Sequence, residues 1–193
     1  MHIIGGKYKG FKLFTPKGLA VRPTSGRLRE TVFNILQNDI PNSTFLDIFA
    51  GSGAIGFEAL SRGAKCVSFI DIDKLSIDVI HKNLDSLQAK AFAKIYQGDA
   101  IDILIKLSKL KISFDIIYVD PPYQNIVIFE EKEILLSVVI LKIIEKENLL
   151  NSKGILFIEE GQKLDTTELC LQKLSLKRIK KQGRTFLHEF STT

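Results

Sequence analysis

From residue 44 onward the chain alternates between short unbroken apolar runs and longer stretches with an apolar residue every three or four positions. The runs "TFLDIF" (44–49), "CVSFID" (66–71), "FAKIYQ" (92–97), "FDIIYVD" (114–120) and "GILFIE" (154–159) are apolar without strict alternation, which predicts strands covered on both faces. Between them, helical spacing covers 54–62, 74–88, 100–109 and 130–147. Strand and helix in turn imply an α/β fold built on a doubly wound, mostly parallel sheet. The tail departs from that rule. "LSLKRIKKQ" (174–182) and "RTFLHEF" (184–190) are both strand-like and meet at Gly183 with no helix between them, so an antiparallel C-terminal hairpin is expected on the sheet edge.

Ahead of this repeat, β-prone runs at 2–4 and 11–14 flank "GGKYKG" and predict a small hairpin. Leu28, Val32, Ile35 and Leu36 then form one apolar stripe, predicting a helix from about Gly26 to Asn38 with Arg27 and Arg29 off that stripe. The expected organisation is an N-terminal extension, 1–40, before a main domain, 41–193.

Composition sharpens the picture at one place. The 193 residues and 45% apolar content suit a globular chain that needs no staples, and Cys66 and Cys170 read as separate buried thiols in a reducing cytoplasm. No apolar run has membrane-spanning or signal-peptide length, so a cytoplasmic protein without membrane contact is expected. The net charge of +5 is unevenly placed: residues 1–29 hold seven basic side chains and no acidic one, whereas the rest carries 20 basic against 22 acidic. A block of that kind suits a polyanion, because neutralising phosphates releases counterions. "LKRIKKQGR" (176–184) is a second basic stretch, of a kind that also protects exposed strands.

Two motifs carry chemistry. In "LDIFAGSGAIG" (46–56), Gly51, Gly53 and Gly56 lie between a predicted strand and a predicted helix, with Asp71 closing the next strand twenty residues after Gly51. Such glycines permit a tight turn and close ligand approach, and a carboxylate at that place accepts from ribose hydroxyls. Asp47 puts a negative charge just before the turn, which repels a pyrophosphate but suits a ligand with a sulfonium and an α-amine. S-adenosylmethionine is such a ligand. Asp99 either accepts from an adenine amine or caps the helix that follows it.

The second motif is "YVDPPYQ" (118–124), where two prolines after Asp120 end the strand in a rigid corner. If Asp120 and the carbonyl of Pro121 accept the two N–H bonds of an exocyclic base amine, the nitrogen is oriented and its lone pair becomes more available. Pro122 stiffens the corner, and Tyr123 can stack on a base that has left its helix.

Taken together, "DPPY", "LDIFAGSGAIGFEALSRGA" (46–64), "RPTSGRLRETVFNIL" (22–36) and "IIGGKYKG" (3–10) resemble the RsmD family of bacterial methyltransferases that modify a guanine N2 in 16S ribosomal RNA. The resemblance runs from about Ile3 to Tyr123. It implies a Rossmann-like class I methyltransferase fold, S-adenosylmethionine as cofactor, and 16S ribosomal RNA, within the small ribosomal subunit, as substrate for a monomeric enzyme. By the same resemblance, Asp47, Phe49, Ala50, Gly51, Ser52, Gly53, Asp71, Ile72, Asp99 and Ala100 fall at cofactor positions. Asp120, Pro121, Pro122 and Tyr123 fall at the catalytic corner, and Lys7, Lys9, Arg22, Thr24, Arg27 and Arg29 on the RNA-facing segment. Alternatives with related signatures are a DNA adenine-N6 methyltransferase, a nucleotide-binding dehydrogenase and a non-catalytic RNA-binding assembly factor.

Overall fold

The computed structural model describes residues 1–16, 26–122, 125–129, 131–166 and 169–192. Helix α1 spans Gly26–Ile35, and the alternating pattern then gives β1 (Thr44–Ile48), α2 (Ala54–Ser61), β2 (Cys66–Asp71), α3 (Lys74–Ser86), β3 (Ala93–Gln97), α4 (Ala100–Lys109) and β4 (Phe114–Val119). A short hairpin follows, β5 (Ile126–Phe129) and β6 (Lys132–Leu135), then α5 (Leu136–Lys146), β7 (Leu150–Glu160), β8 (Leu174–Gln182) and β9 (Thr185–Thr192). Seven of these strands form a mostly parallel sheet, and β5 with β6 forms a separate two-stranded one.

The chain divides into two compact units, Met1–Asp99 and Ala100–Thr193. In the first, parallel strands run in the order β3-β2-β1, with Ile48 opposite Ile70 and Asp71 opposite Gln97, so all three carboxyl ends share one edge. Four of the five residues of β1 are buried, as continuous apolar runs require, while β3, the outermost, is only partly covered. In the second unit, β4 pairs parallel to β7, then β7 with β9 and β9 with β8 pair antiparallel. The expected C-terminal hairpin is therefore present.

Three expectations change. The helix expected over 130–147 begins only at Leu136, because Ile126–Phe129 and Lys132–Leu135 pair antiparallel about Glu131, whose φ of +64° makes the turn. β-Branched residues in that stretch favour the pleated conformation over a helix's first turns. The N-terminal runs make one isolated bridge, His2 to Lys12, rather than two strands. Finally, Cys170 is exposed rather than buried, and Cys66 is half-buried.

That N-terminal segment is nonetheless firmly tied to its unit. Glu58 on α2 has no solvent exposure; its two oxygens accept from the backbone N–H groups of Ile4 and Gly5 at 2.8 Å each, and Oε1 also pairs with Arg62. Ser61, one turn on, accepts from the N–H of Tyr8. "IIGGKY" is thus folded over the end of α2, which leaves Lys7 and Lys9 exposed on the loop. Among the described residues no helix is long and apolar enough to cross a membrane, and no cluster suits a metal ion.

Candidate cofactor cup and acidic corner

The carboxyl edge of β3-β2-β1 carries the first motif. After β1 the backbone turns back at Phe49, whose φ is +63°, and the Ala50 N–H donates to the carbonyl of Ile70 on the neighbouring strand. Holding a bulky residue in that region costs about 1–3 kcal/mol, strain that recurs where a backbone is shaped for a ligand. Gly51 N–H donates to Oδ2 of Asp71 at 2.7 Å. Gly53 then starts α2 with a φ of +76°, and a Cβ there would lie 2.7 Å from a ring carbon of Phe57. A Cβ on Gly56 would lie 2.2 Å from the Phe69 ring, so the third glycine lets α2 sit directly on β2.

Asp71 is the strut of this cup. Besides Gly51, its other oxygen accepts from the N–H of Asp73, and its backbone carbonyl accepts from Gly98 at the end of β3. Three loops therefore converge on one residue. A carboxylate has about four acceptor positions, so these bonds leave capacity for ligand hydroxyls. Burial pushes the Asp71 carboxyl above its ordinary range, and the two N–H bonds oppose that push. Ile72, next along, is 67% exposed, an apolar side chain on the rim of the cup. Asp99 is exposed immediately after Gly98, and Ala100 is buried at the start of α4.

At Asp47 the expected fixed charge becomes conditional. The side chain is 2% exposed, lies behind the turn, and accepts from the N–H of Gly56 at 2.9 Å. Desolvation pushes its pKa up to about 8, outweighing that one hydrogen bond, and the nearby Asp71 carboxyl adds to the rise. Near neutral pH Asp47 therefore keeps its proton. The unfolded chain releases that proton near 3.8, so the native state binds more protons across the window up to about 8, and stability falls through it as pH rises. We expect Asp47→Asn to flatten this slope when urea unfolding is compared at about pH 5 and pH 8; an unchanged slope would place its origin elsewhere.

Sequence spacing did not single out Asn83. On α3 and fully buried, it accepts from the N–H of Phe14, donates to the carbonyl of Phe14 at 3.1 Å, and lies 3.4 Å from the carbonyl of Ser52. It ties the N-terminal segment to the glycine turn. An asparagine on an otherwise apolar helix face was the available signal.

In the second unit, Asp120 follows β4 and is half-buried; Pro121 is buried, Pro122 exposed. The Pro122 carbonyl accepts from Asn125 at 3.2 Å, and the Asn125 carbonyl from Leu136 at the start of α5. Behind it, the Tyr118 hydroxyl donates to the buried Glu159 on β7 at 2.7 Å. Parallel register sets Val119, the residue before Asp120, opposite Ile158, the residue before Glu159. Tyr123 lies outside the described residues. His188 on β9 is buried and accepts at Nε2 from Leu164, which leaves Nδ1 to donate to Ile158; burial lowers its pKa and keeps it neutral.

On the N-terminal face the structure separates the expected cations. Lys7, Lys9 and Arg27 are exposed. Arg29 is not: it is 3% exposed, with one Nη donating to the carbonyl of His2, and burial lowers its pKa against the opposing pull of Glu58. The inward face of α1 is Leu28, Arg29, Val32 and Phe33, a stripe rotated from the expected one, and Arg29 is removed from the RNA-facing set. Arg22 and Thr24 lie outside the described residues.

The chain is similar over most of its length to several known proteins. A family model described as Conserved hypothetical protein 95 matches residues 1–191. A Buchnera aphidicola protein named Ribosomal RNA small subunit methyltransferase D is 30% identical over 195 aligned residues, covering 100% of this chain and 94% of that protein. Its namesake in Haemophilus influenzae is 40% identical over 124 residues, 64% of each chain, just under two thirds. The solved structure of Escherichia coli YhhF superposes with a TM-score of 0.81 at 32% identity, covering 100% of this chain and 97% of that one. With a family model spanning nearly every residue and a relative aligned from end to end, the chain belongs to the Conserved hypothetical protein 95 family, the RsmD family.

Proposed function

We propose that the protein is an S-adenosylmethionine-dependent methyltransferase of ribosomal RNA, acting on the N2 amine of a guanine in the 16S RNA of the small subunit. The observation that carries the reading is the cup: three strand ends converge on Asp71, and a strained glycine turn opens into a helix with no side-chain cap. The residues fit the cofactor on five counts. The start of α2, where Gly53 brings no side-chain cap and Asp47 takes only the N–H of Gly56, suits a carboxylate. The spare acceptors of Asp71 suit ribose hydroxyls, Ile72 offers an apolar contact for adenine, and Asp99 stands at the third strand end for its amine. Asp47, protonated when alone, ionises beside a cation.

When bound, the cofactor supplies an electrophilic methyl group on a sulfonium. The chain's own part is to orient the acceptor. Asp120 and the carbonyl of Pro121 accept the amine N–H bonds, which aligns the nitrogen lone pair, and Asp120 takes up the proton released on methylation. Pro121 is held by burial and the Pro122 carbonyl by the N–H of Asn125, so the acceptors stay fixed while the base enters. Tyr123 stacks on that base. The exposed Lys7, Lys9 and Arg27, with Arg22 and Thr24, present the basic segment of 1–40 to RNA phosphates. The enzyme works as a monomer in the cytoplasm on RNA within the small subunit.

Comparison of modified nucleosides in ribosomal RNA from cells with and without this gene tests the reading: N2-methylguanosine should be lost with the gene and restored by purified protein. An unchanged nucleoside profile would refute it. The triple variant Lys7→Ala, Lys9→Ala, Arg27→Ala should bind RNA more weakly and with a shallower salt dependence, by about 0.7–0.9 in slope for each phosphate no longer neutralised. Arg29→Met should leave that slope unaltered, since its guanidinium faces the carbonyl of His2.

A further inference from the structure

Beyond residue 29 the chain is slightly acidic, with 20 basic against 22 acidic side chains, yet Lys173 to Arg184 holds six basic residues and no acidic one. The structure puts this run on β8 and its turn into β9. β8 is the last strand of the sheet order, so among the described residues no strand neighbours its other side. Lys177, Arg178, Lys180, Lys181 and Arg184 are all exposed along it. Two of these cations are already held in place: Arg178 pairs with Glu189 at 2.8 Å, and the Lys181 ammonium lies 5.2 Å from the centre of the Phe186 ring. Ordered side chains lose less entropy when they bind.

One or two charges suffice to keep an edge strand from pairing with another chain. Five exposed cations extending through the turn exceed that need. They also disfavour a second copy of this chain as occupant, since the same positive edge would face itself. Charge complementarity points to a polyanion, whose phosphate oxygens such side chains contact.

We infer that β8 and the β8–β9 turn form a second RNA-contacting surface, which grips backbone phosphates of the ribosomal RNA away from the target nucleotide. The inference rests on the function proposed above. Its contacts are to phosphate and carry register and affinity, not sequence choice.

The test is the full chain with Lys177→Gln, Lys180→Gln and Lys181→Gln together, assayed with a 16S ribosomal RNA transcript over a salt series. The KM for RNA should rise about tenfold at ~0.1 M salt with kcat within about twofold, and the slope of log affinity against log salt should become shallower by about 2. Lys180→Glu alone should weaken binding more than Lys180→Gln, a comparison that leaves the rest of the strand intact. An unchanged KM and salt slope in a variant that now self-associates would overturn the inference and leave edge protection as the role of these residues. A wild-type protein that methylates the transcript separates that outcome from failure of the enzyme assignment. If the wild type neither binds nor methylates RNA, both readings fall.

Discussion

Asp120→Ala is expected to lower kcat for RNA methylation by about 10²–10⁴-fold, the usual range for a positioned acid or base, while cofactor affinity stays within about twofold. The asymmetry comes from where the residue sits. The cup is assembled by Asp71, the glycine turn and the end of β3, all within residues 1–99, whereas Asp120 closes β4 in the other unit. Removing its carboxylate leaves the cup's hydrogen bonds untouched. What disappears is an acceptor for the amine N–H, and with it the orientation of the lone pair and a place for the proton. Asp120→Asn is the sharper probe, because it keeps the shape and one acceptor but cannot take a proton. If Asn restores most of the rate, the residue orients the amine; if it is as inactive as Ala, proton uptake is the larger part. Cofactor titration by calorimetry and single-turnover methylation check both arms, and full turnover in Asp120→Ala would remove this residue from the mechanism.

Glu58→Ala should be the most damaging single change to stability, about 3–5 kcal/mol, the range for breaking a buried ion pair by deleting one partner. Glu58 has no exposure, and three donors depend on it: the N–H groups of Ile4 and Gly5 and the Arg62 guanidinium. None of the three has another acceptor brought to it by the truncation. For a chain of this size the loss corresponds to a fall in melting temperature of about 6–20 °C. Glu58→Gln should recover only part, because its carbonyl oxygen can still accept from Gly5 and Arg62 while its NH2 would face the N–H of Ile4. Because "IIGGKY" is held by this carboxylate, the variant should also lose RNA affinity out of proportion to its cofactor affinity. Thermal unfolding and RNA titration measure the two effects, and a destabilisation under ~1 kcal/mol would show that the N-terminal segment is held by apolar contacts instead.

Much of the architecture is legible in the pattern of apolar residues, for a reason visible in β1 and β2. Strands covered on both faces must be apolar throughout, and helices lying on them must repeat every three or four residues, so the alternation is written directly in the chain. The pattern misleads where burial is incomplete. Ile126–Leu135 is apolar enough for a helix but stands largely in the open, Ile128 at 83% exposure, and pairing within the hairpin decides its form. Arg29 misleads in the opposite direction. Charge suggests a surface, but the rotation of α1 directs it inward against His2.

The candidate site divides in the same manner. Gly51, Gly53, Asp71 and the Asp120 corner are visible in sequence because their chemistry needs those residue types at strand ends. Asn83, Glu58 and Glu159 are not, since the backbone groups that Asn83 and Glu58 hold and the hydroxyl bonded to Glu159 lie 31 or more residues away in the chain, and only folding brings them into hydrogen-bond reach.

By itself the sequence determined the alternation of strands and helices from β1 to β4, the turn that needs glycine and the corner that needs proline, since each is a local steric or periodic requirement of neighbouring residues. Tertiary structure alone decided which acids keep their charge and which cations meet solvent. Asp47 holds its proton and Arg29 is withdrawn because desolvation and long-range hydrogen bonding depend on what is packed around a group, and no short stretch of chain contains that information.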